Sequence, residues 1–334
     1  MSLPVHEWRF EVGSPDHGNR LDSFLADRLD WRSRNRVQEA IRESRVEVLP
    51  HKDPQQALIA DLKPGVRLRR GQEVVVRLPA PQAEPGAGSR AWEADQIPLL
   101  YEDDDVLAVN KPPHLNIYPS RRHRAGSLIE LVHEAYRLRH GPTDYSPTPC
   151  HRLDRETSGL VLFAKNRAAR AEISRQLEER KVGKTYLALV TREMSENEGQ
   201  VDLPLGRDEA SAVEIKTIVT DAGQPATTRW RVVHRLDGRT LLELSPTTGR
   251  QHQLRAHCAA IGHPIVGDKL YLGGDELFLR SLDGPLSDDE IASLGLDRQA
   301  LHAWKLRFNH PASGESLTLE APPWPDMAEL ISEH

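Results

Sequence analysis

The period of the apolar residues changes several times along the chain, and each change marks an element. From Gly18 to Leu78, Leu21, Phe24, Leu25 and Leu29 recur at helical spacing. Ser33 then stands as an N-cap before a second helix, with Val37, Ala40 and Ile41 on its inner face and Arg32, Arg34, Arg36, Arg42 and Arg45 around it. Val46 and Val48 read as a strand, and VRLRRGQEVVVRLP as a hairpin turning near Arg70 and Gly71. The stretch APQAEPGAGSRAWEA, Ala80 to Ala94, has no period and is rich in Pro, Gly and Ala, which predicts a linker.

Beyond the linker, Val106 to Asn110 is a short strand that runs into the stiff Lys111-Pro112-Pro113. Leu160 to Ala164 is an apolar run too short for a helix, so it predicts a buried strand entered through Gly159. A helix over Ala168 to Arg180 and a strand over Thr185 to Val190 follow. The alternation through TRWRVVHRLDGRTLLELSP predicts an antiparallel meander. Thr248-Gly249-Arg250 opens the helix QHQLRAHCAAIG, which Gly262 ends, and Gly274 to Asp297 reads as a loop with a short helix.

With 334 residues the chain can hold one large domain and one small one. No apolar run approaches the roughly 20 residues that cross a bilayer. The opening MSLPVHEWRF lacks the basic lead and apolar core of a secretion signal. Cys150 and Cys258 form no disulfide framework and read as small buried hydrophobes, so a reducing, cytoplasmic compartment is expected. A net charge of -6 first argues against a polyanionic partner. The excess is local, however: Asp275, Glu276, Asp283, Asp288, Asp289, Glu290 and Asp297 against Arg280 alone account for all of it. Basic clusters elsewhere remain free to face phosphate.

The chemistry gathers in HRLDRETSGLVLFAKN, His151 to Asn166. Asp154 lies in a polar loop just before the buried strand. Arg152 and Arg155 flank it and favour its charged form, while Thr157 and Ser158 offer hydroxyls to the loop backbone or to a ligand. An RLD tripeptide alone would be a surface turn with an ion pair. A second HRLD, His234 to Asp237, is of that plainer kind: Gly238 and a hairpin strand follow it, without the TSGL continuation. His252 and His257 are five apart, on different helical faces, so they do not make a zinc pair. Walker loop, dinucleotide fingerprint and nucleophile elbow are all missing from the sequence.

The whole string from His151 resembles the signature of the RluA-type RNA pseudouridine synthases, and that resemblance implies that Asp154 is the catalytic residue. KTYLALV resembles the family's second block, which implies that Tyr186 stacks on the target base. TGRQHQLRAH followed by GHPIVGDKLY is similar to the third, which implies that Arg255 pairs with the catalytic acid. LYEDDDVLAVNKPPHLNIYP looks like the first motif, with His114 where Gly is common and Tyr118 where His usually precedes the Pro; RQALHAWKLRFNHP returns to the pattern near the C-terminus. The N-terminal part is similar to the small alpha-L RNA-binding domain, apart from an insertion at Leu49 to Ala60.

The resemblance implies an α+β fold: a catalytic domain built on a mixed, mostly antiparallel sheet, over 97–328, a linker over 81–96 and a small N-terminal α/β RNA-binding domain over 15–80. It implies isomerisation of uridines in structured RNA, with large-subunit ribosomal RNA favoured over transfer RNA. A non-catalytic ribosome assembly factor and a hydrolase using Asp154 with a histidine are the competing classes. RNA contacts are expected from Arg152, Lys111, Arg34, Arg36, Arg42 and Arg45. Arg152 either fills the gap left by an extruded base or meets a phosphate. Substrate and product have the same atoms, so no cofactor and no metal are expected; the protein is expected to be a monomer away from membranes.

On this reading, Asp154→Asn abolishes pseudouridine formation while folding and RNA affinity stay near those of the parent. Asp237→Asn, in the second HRLD, leaves turnover within about twofold, as surface substitutions usually do. Measuring pseudouridine yield for both variants on structured RNA checks this, and equal behaviour would contradict it.

Overall fold

A computed structural model describes residues 5–13, 16–28, 34–49, 62–79, 92–119, 126–141, 143 and 145–332. The chain divides into two compact units, residues 1–84 with 142–146, and residues 85–141 with 147–334.

The first unit contains β1 (Val5–Glu11), α1 (Leu21–Arg28), α2 (Arg34–Arg42), β2 (Val46–Leu49) and β3 (Glu73–Pro79). Its sheet has the order β1-β3-β2, antiparallel throughout. Leu21, Phe24 and Leu25 of α1 and Val37, Ala40 and Ile41 of α2 are buried, as their spacing predicts, against Val46, Val48, Val74 and Val76 of the sheet. Two expectations change here. Gly71 does turn the chain, with φ +83 and an N–H bond from Gln72 to the Arg69 carbonyl, yet the two arms do not pair as a hairpin. Instead β3 is the central strand, because its two-sided Val74-Val75-Val76 run is buried between β1 and β2. The expected 15–80 range also omits β1, although Trp8, Phe10 and Val12 alternate with Glu7, Arg9 and Glu11 as in a half-buried strand. Ser33, the insertion at Leu49 to Ala60 beyond Leu49, the 81–91 part of the linker and the basic run 121–124 lie outside the described residues.

The second unit is built on β4 (Leu99–Glu102), β5 (Val106–Lys111), α3 (Leu128–His140), β6 (Thr148–Pro149), β7 (Ser158–Ala164), α4 (Arg167–Glu178), β8 (Gly183–Thr191) and β9 (Glu198–Asp202). It continues with β10 (Leu205–Arg207), β11 (Thr217–Val219), β12 (Thr227–Leu236), β13 (Arg239–Pro246), α5 (Gln253–Ala260), α6 (Gly274–Asp283), α7 (Asp288–Leu294), β14 (Leu301–Asn309), β15 (Ser316–Glu320) and α8 (Pro325–Ser332). The main sheet runs β4-β5-β7-β14-β8-β13-β12-β9, with β15 beside β14 and β6 beside β7. Among the described residues every pair is antiparallel except β7 with β14. This is the expected α+β architecture. β5 and β7 are buried along their whole length, which is why both read as unbroken apolar runs.

Asparagine 166 caps α4 by accepting the Ala169 N–H at 2.8 Å. Asp237 and Gly238 form the two-residue turn of the β12–β13 hairpin, so the second HRLD ends a strand. The acidic insert folds as two helices, α6 and α7, where one was expected; Ser287 and Glu290 cap α7 reciprocally. α3, a helix outside the elements expected above, buries its apolar face (Leu128, Ile129, Leu131, Val132, Tyr136). Cys150 and Cys258 are free thiols, each pushed up to about 12 by burial.

At Gly159 the backbone is left-handed (φ +113), and an added Cβ would lie 2.3 Å from the Ala303 carbonyl oxygen of β14. The residue thus lets the catalytic loop enter the sheet against a neighbouring backbone. Gly159→Ala should destabilise the fold by about 3–5 kcal/mol, since overpacking and left-handed strain add. Urea unfolding checks this; a loss under about 1 kcal/mol would mean that β14 yields without cost.

Candidate active site

The loop between β6 and β7 carries Asp154, and its anchors are side chains from four other parts of the second unit. His151 accepts the Leu162 N–H on Nε2 at 3.2 Å, which fixes its proton on Nδ1; burial lowers it to about 3. The Thr157 N–H turns back to the Asp154 carbonyl. Gln299 donates to the Thr157 hydroxyl at 2.8 Å. Ser158 donates to His302 Nδ1 at 2.9 Å, because His302 Nε2 must donate to the Ala321 carbonyl. The two hydroxyls expected to tie down the loop or a ligand are both buried and tie down the loop.

Two fully buried cations lie behind this loop. Lys111 donates to the carbonyls of Pro112 (2.8 Å), Leu115 (3.0 Å) and Arg155 (3.1 Å). Burial drives its pKa well down, but three acceptors at these distances need all three protons of an ammonium. Lys111 therefore is not a surface RNA contact: its expectation as one is corrected, because no part of it reaches solvent. Arg298 forks onto Asp326 of α8 (2.6 and 2.9 Å) and donates to the Gln299 carbonyl at 3.0 Å. Lys269 holds Glu156 at 2.7 Å.

In front of the loop is Arg255, near the start of α5. Its Nε and one terminal nitrogen fork onto Asp268 at 2.6 and 2.8 Å, and the other terminal nitrogen reaches Asp154 Oδ2 at 3.3 Å. The Arg255 side chain is 6% exposed, whereas that of Asp154 is 40% exposed. Asp268 has no exposed surface. Burial would raise its carboxyl, but the Arg255 charge and N–H bonds from Leu270 and Tyr271 outweigh that and hold it below the usual range. Burial would likewise lower Arg255; Asp268 more than offsets it and raises it. The Tyr271 ring lies under the guanidinium at 5.0 Å, and its hydroxyl donates to the Thr217 carbonyl at 2.8 Å. His252 donates to that hydroxyl from Nδ1 (3.2 Å), in a left-handed backbone (φ +54).

Tyr186 lies on β8, half-buried, with its phenol pushed up by burial and by the nearby Asp154 charge, so the ring is neutral. Asp154, Arg255 and Tyr186 are thus brought together. Neither flanking arginine is the partner expected for the acid: Arg155 leans towards Glu156 at 3.8 Å and Arg152 is exposed. Arg42 and Arg45 are exposed, Arg45 against Glu43 at 3.0 Å; the side chains of Arg34 and Arg36 lie outside what is described. His114 has φ +59, a conformation that explains why glycine is common at that position in the resembling family. His252 and His257 do not converge, since His257 bonds Thr228 and the Leu203 carbonyl.

Asp268, Tyr271, Arg298 and Gln299 were not singled out from the sequence. All four fall inside GHPIVGDKLY and RQALHAWKLRFNHP, the strings that resemble the family, but nothing in those strings announces their contacts; at Gly267, just before Asp268, a Cβ would fall 1.8 Å from the Arg298 carbonyl oxygen.

Comparisons with known proteins bear on the family. A family model described as RNA pseudouridylate synthase matches residues 105–260. Ribosomal large subunit pseudouridine synthase D of Nitrosomonas europaea is 36% identical, over 98% of this chain and 88% of its own. The Bacillus subtilis protein called uncharacterized RNA pseudouridine synthase YlyB is 34% identical over 93% of each. The solved structure of Human RNA Pseudouridylate Synthase Domain Containing 1 superposes with a TM-score of 0.55 at 26% identity, over 72% of this chain and 89% of that one.

Asp268→Asn removes the charge that neutralises a buried arginine and should cost about 3–5 kcal/mol at pH 7. A carboxyl held low in the folded state stabilises above its unfolded pKa of roughly 4 and loses that contribution as pH falls through the folded value. The gap between parent and variant in urea unfolding should therefore narrow below about pH 4; a constant gap down to pH 2 would contradict the pairing.

Proposed function

The chain belongs to the RNA pseudouridylate synthase family, and from that premise we propose that it isomerises uridines in large-subunit ribosomal RNA with Asp154 as the catalytic group. It is an isomerase, and RNA is its substrate. The observation that carries the assignment of Asp154 is the contrast within one ion pair, a solvent-facing carboxylate held by a buried guanidinium.

The reaction breaks the bond from ribose C1′ to N1 of the base, turns the base and joins C1′ to C5; C5 loses its proton and N1, which had none, gains one. Arg255 engages Oδ2 of Asp154, so among the described residues Oδ1 stays uncommitted and can face the sugar. From there the carboxylate can attack the anomeric carbon, stabilise its positive charge or remove a ribose proton. Tyr186 supplies an uncharged aromatic face for a base drawn out of its stack, and Arg152, exposed beside the acid, meets the RNA strand or the gap the base leaves. The ribosomal target rests on the names of the relatives, several of which are large-subunit synthases. Action as a monomer in the cytoplasm is part of the same reading; separately, no helix among the described residues is long and apolar enough to cross a membrane. The 15–80 segment, extended by β1, serves as the RNA-binding domain, with Arg42 and Arg45 on its surface.

Arg255→Ala should cut kcat at least about 100-fold with RNA affinity changed only a few-fold, the pattern of an interaction that acts in the transition state. Pseudouridine mapping of ribosomal RNA from cells with and without the gene identifies the target; identical maps would refute the ribosomal assignment. Joint Arg42→Ala and Arg45→Ala substitution should weaken RNA binding and lower the slope of log affinity on log salt by roughly one to two, since fewer counterions are released. An unchanged slope would make that face merely solvated.

A further inference from the structure

A second concavity of about 410 Å³ opens between the β10–β11 hairpin and the loop that leads into α5. That size lies within the range of roughly 300–1,000 Å³ typical of small-molecule sites. Its lining combines three chemistries: the arginines Arg207 and Arg250, the amides of Gln224 and Gln251, and the apolar Ile215. Ile215 is 48% exposed, one of few large hydrophobic side chains so exposed among the described residues.

The walls are fixed. The Leu205 and Gln224 backbones exchange N–H bonds at 2.9 and 2.8 Å, and the intervening approach is so close that a Cβ on Gly223 would sit 2.5 Å from the Leu205 carbonyl carbon. Lys216 is taken up by Asp275 (2.7 Å) and Asp208 (3.5 Å), which fastens the hairpin loop to α6. Arg250 places Nε on the Pro225 carbonyl at 3.3 Å, and neither it nor Arg207 pairs with a carboxylate among the described residues. Glu214 is the single acid in the lining.

The cleft also adjoins the site. Gln251 precedes His252, and Thr217 of β11 both gives its N–H to the Tyr271 hydroxyl (3.1 Å) and accepts from it, directly beneath Arg255. We propose that this cleft binds the nucleotide next to the target uridine, its base lying on Ile215 with its edge read by Gln224 and Gln251, and its phosphate between Arg207 and Arg250. An exposed apolar platform beside guanidiniums that no carboxylate among the described residues neutralises suits a single unstacked nucleotide, whose face is apolar and whose phosphate is anionic. The assignment rests on the reading that this chain modifies RNA.

The test uses the full-length protein and a chemically synthesised large-subunit ribosomal RNA fragment with the mapped uridine, prepared intact, abasic at the 5′ neighbour or abasic at the 3′ neighbour. Ile215→Ala alters an exposed side chain, so folding is not at stake. It should raise the RNA concentration for half-maximal rate about fivefold on intact RNA, the scale of losing roughly 40 Å² of apolar contact. On one of the two abasic RNAs parent and variant should become equal, because the partner of the missing side chain is itself missing. Arg207→Ala should still weaken binding to that abasic RNA, through the phosphate. The proposal is overturned if Ile215→Ala matches the parent on intact RNA, or if it loses the same factor on all three RNAs. A parent without activity on any of them would instead overturn the ribosomal reading.

Discussion

Asp268 has no exposed surface, and a carboxylate in that position persists only where a cation meets it with matched hydrogen bonds. Arg255 does so through a two-pronged contact, and its direction follows from that contact. With Nε and one terminal nitrogen fixed on Asp268, and Tyr271 under its plane, the remaining nitrogen has a single place to point: Asp154. The buried pair is close to neutral by itself. The negative charge left over belongs to Asp154, at the solvent-facing end of the chain of three.

A fixed guanidinium is useful only if the acid is equally fixed. That is the task of the groups behind the loop, where Lys111 takes the Arg155 carbonyl, Arg298 reaches the Glu156 carbonyl at 3.5 Å, and Gln299 and His302 take the hydroxyls of Thr157 and Ser158. Gly159 lets β7 start in contact with the β14 backbone, so the loop ends on the most buried strand of the sheet. Asp326 connects Arg298 to α8, and through it the C-terminal helix becomes part of the support for a loop some 170 residues earlier. Preorganisation of this sort lets a carboxylate meet developing charge without first rearranging.

Much of this was legible in the order of residues. β5 and β7 showed as apolar runs because both faces are covered, and the paired helices of the N-terminal unit showed in the spacing of Leu21, Phe24 and Leu25 and of Val37, Ala40 and Ile41. The long match from His151 to Asn166 distinguished Asp154 from Asp237, and the two do fall in different settings, a held loop and a two-residue turn. What stayed hidden depends on contacts distant in sequence. Asp268 is 13 residues from Arg255, Gln299 is 142 from Thr157, and no local pattern announces either contact. Lys111 looked like a surface cation because lysine usually is one; only the three carbonyls around it reverse that. β1 carries a legible alternation of Trp8 and Phe10 with Glu7, Arg9 and Glu11, but its pairing with a strand that begins only at Glu73 does not show, and that pairing displaced the hairpin that Gly71 had suggested.

The central claim is that Asp268 acts on catalysis through Arg255 and by no other route. A kinetic double-mutant cycle over Asp268→Asn and Arg255→Ala, read as single-turnover pseudouridine formation at saturating RNA, measures this directly. The account predicts that the double variant is no slower than Arg255→Ala alone, within about twofold. Losses that multiply in the double variant would mean that the two residues act independently, and the aimed guanidinium would no longer explain the site.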